Sequence, residues 1–546
     1  MKTGGQILIE CLEAQGVERV FCVPGESYLA ALDAFHDGSV QVINARQEGG
    51  AAMMADADGK MTGRPGVAFV TRGPGATNAA AGVHVARQDS TPMVLFVGQI
   101  GRRMKGREAF QEVDYRQTFR DLAKWVEEID HADRIPEIVS HAWHVAMSGR
   151  PGPVVLALPE DMLTEMADAA PGPYVTVANP APSVSESAAF MKMLAEARRP
   201  VLALGGSRWD EASVAAAHRF AEKHDLPVTV TFRRQGLFDH EHPNFAGDLG
   251  IGPNPKLRRI VEESDMLILL GARLSEMPSQ GFELLSIPTP QMPVVHIHPG
   301  AEELGRIYTP ELAINATPGA FLEAVESAPA RAGGGAGAAA HAAYLDWTGQ
   351  PPATPGDAEM GPIMSHLRAV APDAVVTNGA GNYAGWIHRF WRFRRFGQQI
   401  APTSGSMGYG LPASVAVKLR NPASEVICFA GDGCFQMTSQ EFGTLAQYDL
   451  PVIVLIVDNS IYGTIRMHQE RDYPARVSGT DLKNPDFAAI ARAYGGHGET
   501  VEKTEEFPEA LTRARESGLP AIIHIKTSPE ALSPTLTIEG LRARAR

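Results

Sequence analysis

The residues best suited to hold a divalent cation and a phosphate lie in the carboxyl-terminal third of the chain. Gly431, Asp432 and Gly433 follow the apolar run Val426–Ala430, and Asn459 follows the next apolar run. Glycines beside an aspartate at the carboxyl end of a strand let the backbone approach a phosphate closely. Mg²⁺ prefers a few protein oxygens together with phosphate oxygens, which Asp432 and Asn459 can provide. The tripeptide alone also fits a plain turn, whereas Asn459 favours the cation site.

A second candidate is Glu48, which precedes a helical pattern in the amino-terminal part of the chain. A carboxylate at that point either caps the helix or acts on a bound ligand, and the residues alone favour the cap. The segment Gly73–Asn78 follows the apolar run Val67–Val70 and fits a plain turn as well as a ligand loop. The residues alone leave both alternatives open.

The elements that position these residues follow a repeating pattern. Short apolar runs rich in β-branched residues alternate with helical patterns, which predicts an α/β fold of three doubly wound parallel-sheet domains. Predicted helices include Glu211–His224 and Ser439–Tyr448. The predicted strands fall into three sets, which are Val67–Val70, Val94–Val97 and Val154–Leu158; Val201–Leu204, Val228–Val230, Met266–Leu270 and Val294–Ile297; and Val375–Thr377, Val426–Ala430, Val452–Val457 and Ile522–Ile525.

Two segments are predicted to be exposed linkers, because they are rich in Pro, Gly and Ala and have no apolar period. They are Pro171–Ser183 and Ala328–Gly356. They divide the chain into predicted domains, which are residues 1–170, 184–327 and 357–530, with a linker at 328–356 and a tail at 531–546.

The composition limits the class of protein. The chain has 546 residues, a formal net charge of -14 and 44% hydrophobic residues, which predicts about three or four globular domains. An acidic chain argues against nucleic-acid and anionic-membrane binding, because both need clustered Lys and Arg. One basic-aromatic run, Arg389–Arg395, is predicted to be a surface or subunit-contact segment rather than a nucleic-acid site.

Cysteine usage and hydropathy predict a cytoplasmic protein. Cys11, Cys22, Cys428 and Cys434 have no C-x-x-C spacing, which argues against a zinc site or a redox pair and fits a reducing compartment. The amino-terminal residues predict an amphipathic helix rather than a signal peptide. No run of about 18 apolar residues predicts a membrane span.

The order of the motifs resembles the thiamine-diphosphate (ThDP) enzyme family, in its branch of acetolactate synthase-like large catalytic subunits. The resemblance covers roughly residues 3–530. Besides the Asp432 and Asn459 region, it rests on VERVFCVPGESYLAALDAF (Val17–Phe35), on Asn44–Asn78, on AFQEVD (Ala109–Asp114) and on GSMGYGLPAS (Gly405–Ser414). It implies a pyrimidine-binding domain, a central domain and a diphosphate-binding domain, with ThDP and Mg²⁺ as cofactors.

The resemblance also implies roles for individual residues. Glu48 would hydrogen-bond the pyrimidine ring and activate the cofactor, and Met407 would support its bent conformation. Asp432, Asn459 and the carbonyl of Ile461 would bind Mg²⁺. The other implied cofactor-binding residues are Pro24, Pro74, Asn78, Gly379, Ala380, Gly381, Asn382, Gly405, Gly431, Gly433, Cys434, Tyr462, Gly463 and Thr464.

The implied reaction is decarboxylation of a 2-keto acid, followed by transfer of the acyl anion to a carbonyl acceptor. Glu26 occupies a position where related keto-acid decarboxylases carry a proton-transferring acid, and it fits a surface acid equally well. Gln111 is the third predicted catalytic residue, beside Glu48 and Glu26. The predicted substrate residues are Phe110, Gln111, Ile465 and His468.

Several alternatives stay open at this stage. The enzyme could release an aldehyde as a 2-keto acid decarboxylase, or act as a flavin-coupled 2-keto acid oxidase, and a non-catalytic ThDP-fold binding protein is the fourth possibility. The central domain departs from the related pattern at Leu249–Gly252, which leaves FAD, another adenine nucleotide or no ligand as its occupant. The resemblance implies at least a homodimer and favours a homotetramer.

Overall fold

Three six-stranded parallel sheets organise the chain, and they confirm the predicted α/β fold class of three doubly wound parallel-sheet domains. The computed structural model describes residues 1–331 and 333–544. Ala332 of the predicted linker, and Ala545 and Arg546 of the predicted tail, lie outside the described residues.

The first sheet contains strands β1 to β6, in the spatial order β2-β1-β3-β4-β6-β5. Its central strands are apolar and fully buried on both faces, as expected for a parallel sheet covered by helices. In chain order, β1 to β6 are Arg19–Cys22, Gln41–Asn44, Gly66–Val70, Met93–Gln99, Trp125–Glu128 and Pro153–Pro159.

The second and third sheets differ in topology. The second has the order β9-β8-β7-β10-β11-β12, and the third has β14-β13-β15-β16-β18-β17, which repeats the topology of the first. Strands β7 to β12 are Pro200–Leu204, Val228–Thr231, Phe245–Leu249, Met266–Leu270, Val294–His298 and Leu312–Asn315. Strands β13 to β18 are Val375–Asn378, Gln399–Ile400, Val426–Gly431, Ile453–Asp458, His497–Val501 and Ala521–Lys526.

The chain forms two compact units. The first contains residues 1–178, 402–422 and 438–450, and the second contains the other described residues. The α-helices of the first unit are Gly4–Ala14, Leu29–Asp37, Glu48–Thr62, Pro74–Asp89, Tyr115–Thr118, Ile135–Met147, Glu160–Leu163, Gly410–Arg420 and Phe442–Gln447. Those of the second are Val184–Glu196, Glu211–His224, Pro255–Glu262, Pro318–Val325, Ala336–Gly349, Met360–Val370, Ala384–Phe390, Asp432–Gln436, Gly463–Asp472, Phe487–Ala493, Phe507–Glu516 and Ile538–Arg544.

Among the described residues, no helix combines the length and apolar character needed to cross a bilayer. All four cysteines are buried, and none of them takes part in a disulfide bond among the described residues.

The helix Ala336–Gly349 corrects the prediction that segment 328–356 is an exposed linker. Ala340, Tyr344 and Thr348 are buried and follow one another at intervals of four residues, so they form one face of the helix. The Tyr344 ring stacks edge-on against Phe245 with centroids 4.8 Å apart. One buried face is enough to hold a helix whose other positions include five alanines, a residue of high helix propensity.

The same helix explains the basic-aromatic run Arg389–Arg395, whose interpretation as a surface segment is wrong for its central residues. Trp391, Arg392 and Phe393 are all buried. The Arg392 guanidinium lies 4.4 Å from the centroid of the Tyr344 ring. It also donates a hydrogen bond to Thr348 at 2.7 Å. The central residues of the run therefore pack inside the second unit, where the Arg392 cation lies against an aromatic ring.

We expect Tyr344→Ala to lower the free energy of unfolding by roughly 3 kcal/mol, because it removes a buried ring and its contacts with Phe245 and Arg392. Leu345→Ala is the matched control, since Leu345 is 40% exposed on the same helix. Denaturant unfolding of both variants checks the prediction. Equal, small losses in the two variants would show that this helix contributes nothing to the stability of the fold.

Candidate active site

The polar residues of the carboxyl-terminal domain meet at one edge of the third sheet. Asp432 begins a helix directly after β15, and Asn459 follows the neighbouring strand β16. The carboxyl ends of adjacent parallel strands lie side by side, which brings these residues to the same edge. Asp432 is only 4% exposed. The spacing identified in the sequence therefore corresponds to a shared, largely buried position.

A hydrogen-bonded network surrounds the Asp432 carboxylate. Asn484 Nδ2 donates to Asp432 Oδ2 at 2.7 Å and to Asp458 Oδ1 at 2.8 Å. His524 Nε2 lies 2.7 Å from Asp458 Oδ2. Burial, together with the nearby Asp458, raises the pKa of Asp432. Mg²⁺ would favour the ionised form of this carboxylate, so the site fits a divalent cation with few protein ligands.

The turn after β16 presents the other two predicted metal ligands. Asn459 Oδ1 accepts the Ile461 amide at 3.3 Å, and Ser460 between them has φ = 56°. A left-handed backbone at a serine is strained, and such strain is common where a turn must present specific groups. This turn places the Asn459 side chain and the Ile461 backbone beside each other. Among the described residues, no group of three or more His, Cys, Asp or Glu side chains is placed to hold a metal.

One tyrosine joins two of the predicted cofactor-binding segments. The Tyr383 hydroxyl accepts a hydrogen bond from the Gly379 amide at 3.0 Å and lies 3.3 Å from Cys434 Sγ. A Cβ added at Gly431 would lie 3.0 Å from the Tyr383 ring, so a larger residue there would have to displace it. Glycine at this position therefore lets strand β15 approach the tyrosine closely.

A third predicted segment joins the same cluster. Thr464 Oγ1 donates to Asn382 Oδ1 at 2.9 Å, and a Cβ added at Gly433 would lie 2.7 Å from the Tyr462 ring. Close backbone approach of this kind is what a phosphate site requires. The segments that meet here are Gly379–Asn382, Gly431–Cys434 and Tyr462–Thr464, which include Ala380, Gly381 and Gly463.

The helix Gly463–Asp472 also carries two of the predicted substrate residues. Ile465 and His468 are exposed and lie three residues apart, so they share one side of the helix. Ile465 is 54% exposed, so its side chain is accessible to a ligand or to another chain.

The predicted tail, 531–546, contains a helix that packs on this one. Arg542 binds the buried Glu470 with two hydrogen bonds, at 2.7 Å from Nε and 2.6 Å from Nη2. Bidentate pairs of this type hold both partners in a fixed orientation. Sequence reasoning missed this pair, because nothing in the local pattern links position 470 to position 542.

In the first unit, Glu48 begins the helix Glu48–Thr62 and is half-buried. Asn78 Nδ2 donates to Glu48 Oε2 at 3.0 Å. A Cβ added at Gly75 would lie 3.4 Å from Glu48 Oε1. The structure thus brings Glu48 together with Asn78, and Pro74 begins the helix that carries Asn78. The other carboxylate oxygen of Glu48, Oε1, faces the turn that contains Gly75. This orientation suits a carboxylate that contacts a flat heterocycle bound against the turn.

Glu441 fixes the start of the Glu48 helix, and sequence reasoning missed it. Its side chain is fully buried and accepts the backbone amides of Arg46 and Gln47 at 3.0–3.2 Å. Thr444 Oγ1 donates a further hydrogen bond at 2.7 Å. Burial raises the pKa of Glu441 to about 7, although these hydrogen bonds act in the opposite direction.

Gly405 and Met407 lie in a loop of the first unit that is held on both sides. Asp89 Oδ1 accepts the Thr403 amide at 2.7 Å on one side. On the other side, the Tyr409 hydroxyl donates to Asp56 Oδ2 at 2.6 Å. Met407 is half-buried between these anchors. A fixed loop suits a residue that supports a bound ligand by shape.

Glu26 and Phe110 share one neighbour, Arg72, and Gln111 lies beside the glycine turn that follows Arg72. Arg72 Nη2 lies 2.9 Å from Glu26 Oε1, and Arg72 Nε donates to the Phe110 carbonyl at 3.3 Å. Gln111, at φ = 64°, packs beside the glycine turn, and Phe110 is 73% exposed. Pro24 is exposed just before Glu26. Sequence reasoning missed Arg72, although an arginine immediately before a glycine-rich turn was a usable signal.

The central domain does not fit FAD at the position where its topology would place a nucleotide. The strand order of the second sheet reverses between β7 and β10, and dinucleotides bind at such points. The Trp209 indole donates to the Gly205 carbonyl at 2.8 Å, and a Cβ added at Gly271 would lie 3.3 Å from its nitrogen. Trp209 therefore covers the two glycine turns that a pyrophosphate would approach.

Comparison with known proteins shows the family. Residues 2–118, 187–325 and 379–525 match the N-terminal TPP binding domain, the central domain and the C-terminal TPP binding domain of thiamine pyrophosphate enzymes. The chain belongs to the thiamine pyrophosphate enzyme family, as the sequence motifs predicted.

The chain is also similar over almost its whole length to acetolactate synthase large subunits. It is 33% identical to the acetolactate synthase large subunit of Parasynechococcus marenigrum, over 96% of this chain and 87% of the relative. It is 32% identical to the isozyme 2 large subunit of Escherichia coli, over 96% of this chain and 95% of the relative. The chain is also 31% identical to the isozyme 1 large subunit of Escherichia coli, over 97% of this chain and 94% of the relative.

The raised pKa of Glu441 predicts a pH-dependent loss of stability. The pKa of Glu441 in the folded protein, about 7, exceeds the ordinary value of 4.5. The contribution of the protonated side chain to folding stability is therefore complete below about pH 4.5 and is lost as the pH rises through 7. Between about pH 4.5 and 7, we expect the free energy of unfolding of the wild type to fall by about 3 kcal/mol relative to that of Glu441→Gln. Unfolding measured against pH checks this. Glu137→Gln, on an exposed glutamate, is the control, and a pH-independent difference for Glu441→Gln would contradict the prediction.

The position of Trp209 predicts that the purified protein carries no flavin. Neither FAD nor ADP should raise its melting temperature, because the indole occupies the nucleotide position. Visible absorbance and thermal shift measurements check this prediction. Stoichiometric flavin in the purified protein, or a saturable thermal shift with FAD, would overturn it.

Proposed function

We propose that this protein is a ThDP- and Mg²⁺-dependent carboligase, which decarboxylates a 2-keto acid and transfers the resulting acyl group to a carbonyl acceptor. The proposal is supported by the observation that each unit contains one of the two groups of residues that would bind the cofactor. The first unit has Glu48 paired with Asn78, and the second has Asp432 beside Asn459 at the edge of the third sheet. Full-length similarity to acetolactate synthase large subunits supports the reaction type.

The proposed roles follow from where each group lies. Bound ThDP supplies the carbon nucleophile and the electron sink for decarboxylation. Glu48 holds a proton at the pyrimidine ring nitrogen, and Asn78 orients its carboxylate. Asp432, Asn459 and the Ile461 carbonyl bind Mg²⁺, which neutralises the diphosphate beside the glycines of the same edge.

Assembly is part of the proposal. The Glu48 half-site of one chain and the Asp432 half-site of a second chain would together hold one cofactor, so a homodimer is the smallest active form. The exposed Ile465 and Phe110 are large apolar residues near the two half-sites, and burial between chains would remove them from water. We propose a homotetramer in the cytoplasm, with Phe110, Gln111, Ile465 and His468 facing the substrates.

An aldehyde-releasing decarboxylase is the second candidate, and one observation favours it. Glu26 presents an acid that is 71% exposed and shares its partner Arg72 with the Phe110 carbonyl. Such a group is able to deliver the proton that converts the decarboxylated substrate into an aldehyde. A flavin-coupled oxidase is disfavoured, because Trp209 covers the nucleotide position of the central domain.

We expect Glu48→Gln to lower turnover by at least about two orders of magnitude, because the amide cannot take part in proton exchange at the pyrimidine ring. The measurement is release of CO₂ from a panel of 2-keto acids with ThDP and Mg²⁺, with and without added aldehydes. Mass spectrometry of the products identifies the acceptor and separates carboligation from aldehyde release.

The control is Glu137→Gln, which should keep wild-type turnover. If Glu48→Gln keeps wild-type turnover as well, the assigned role of Glu48 is wrong. If the wild type releases no CO₂ from any 2-keto acid with both cofactors present, the proposed function itself fails.

A further inference from the structure

Arg72 is a buried arginine that joins three segments of the first unit. It is 7% exposed and uses a different guanidinium nitrogen for each partner. Nη2 lies 2.9 Å from Glu26, Nη1 lies 3.3 Å from Glu160, and Nε donates to the Phe110 carbonyl at 3.3 Å. The rigid, planar guanidinium holds these partners in fixed directions, which a lysine cannot do.

The Arg72–Glu26 pair lies at the topological switch point of the first sheet. In the order β2-β1-β3-β4-β6-β5, the direction of winding changes between β1 and β3. Glu26 follows β1, and Arg72 follows β3. Ligands of parallel α/β sheets bind outside the carboxyl ends of the strands at such a point. The pair therefore stands where a substrate is expected, rather than at an arbitrary part of the surface.

The same surface continues to Glu48 through Thr71. A Cβ added at Gly75 would lie 2.8 Å from Thr71 Cγ2 and 3.4 Å from Glu48 Oε1. A Cβ added at Gly25 would lie 2.4 Å from Thr71 Cβ. Glycine at both positions lets the two loops pack directly on Thr71. Thr71 thus packs against both Gly25, which precedes Glu26, and Gly75, which faces Glu48.

We propose that Arg72 is a positioning residue, which holds the Glu26 carboxyl group ready for proton transfer to the product and so sets the ratio of aldehyde release to carboligation. The inference rests on the proposed function and deepens it, because it concerns what happens after CO₂ has left. Glu26 is 71% exposed on a loop, so without the guanidinium its side chain would sample several rotamers.

The two outcomes differ in where one proton goes. In both, the 2-keto acid carboxylate leaves as CO₂ and the bonding electron pair stays on the former carbonyl carbon. In aldehyde release, that carbon takes a solvent proton that the Glu26 carboxylate accepts and passes on, so Glu26 ends ionised as it began. In carboligation, the carbon bonds to the carbonyl carbon of the acceptor, whose oxygen takes the proton. A misplaced Glu26 slows the first outcome and leaves the second open.

The test is the product ratio of the holoenzyme with a 2-keto acid and an aldehyde acceptor. We expect Arg72→Lys to lower the ratio of aldehyde to carboligated product by about tenfold, since a lysine keeps the charge but holds one partner only. Arg150→Lys is the matched control, because Arg150 is 6% exposed in the same unit and binds Ser90 and the Arg87 carbonyl instead. Its product ratio should equal that of the wild type.

A double mutant separates positioning from a general structural role. If Arg72 acts through Glu26, then Arg72→Lys added to Glu26→Gln should leave the product ratio of Glu26→Gln unchanged. A further fall in the double mutant, or a wild-type ratio in Arg72→Lys alone, would overturn the inference. Neither result bears on whether the enzyme decarboxylates the 2-keto acid, so failure of the proposed function is recognised separately by the absence of CO₂.

A second measurement does not depend on turnover. Hydrogen–deuterium exchange of the holoenzyme should show faster exchange at residues 24–28 and 109–112 in Arg72→Lys, with the helix Ile135–Met147 unchanged. Unchanged exchange in both segments would refute the positioning role even if no substrate is found. The same comparison on Arg150→Lys should leave these two segments at their wild-type rates.

Discussion

The central residues of both candidate half-sites depend on one constraint, which is that parallel strands bring their carboxyl ends to the same edge of a sheet. In the third sheet, Gly379 follows β13, Asp432 follows β15 and Asn459 follows β16. In the first sheet, Glu26 and Arg72 follow β1 and β3. The two sheets share a topology, so each offers a switch point in the same place. A short polar segment after a buried strand is enough to supply the residues of each half-site, because the strands hold that segment in position.

This arrangement buries carboxylates, which is unfavourable in free energy. The fold compensates for it differently at each carboxylate. Glu441 receives the free amides at the start of the Glu48 helix, where the helix dipole also favours a negative group. Asp432 receives one amide proton from Asn484 and keeps a raised pKa, which leaves it suited to a cation. Glu26 is exposed and paired with a buried arginine. The carboxylate assigned to the metal is thus a buried one whose raised pKa a nearby cation would lower.

The sequence predicted the interior of each sheet better than its edges. Ten of the predicted strands correspond to β3, β4, β6, β7, β8, β10, β11, β13, β15 and β16, and an eleventh corresponds to β18. The strands that sequence reasoning missed include both edges of all three sheets, which are β2, β5, β9, β12, β14 and β17, together with β1. Edge strands have one solvated side and carry polar residues, so they lack the continuous apolar run that marks a buried strand.

The site residues also fall into two groups, those marked by a local sequence pattern and those that depend on contacts between distant parts of the chain. Asp432 and Asn459 stand next to strong local patterns, so their positions could be predicted from spacing, whereas the role of Glu48 was implied only by the resemblance to ThDP enzymes. Glu441 and the partners of Arg72 act through contacts between residues far apart in the chain, and no local pattern encodes such a pair. The helix Ala336–Gly349 was missed for the same reason, since its one buried face depends on Phe245 and Arg392. The Gly- and Pro-rich composition and the missing apolar period indicated an exposed linker there, and tertiary packing decided the outcome.

The central sheet shows that topology alone does not determine what a domain binds. Its order, β9-β8-β7-β10-β11-β12, is that of dinucleotide-binding domains, and glycine turns follow β7 and β10 where such domains hold a pyrophosphate. The Trp209 indole lies over those turns and donates to one of them. A single aromatic residue therefore converts a ligand crevice into packed core while the strands around it stay in place. Function in this chain is argued from side chains at strand ends, and the shared fold only determines where those ends meet.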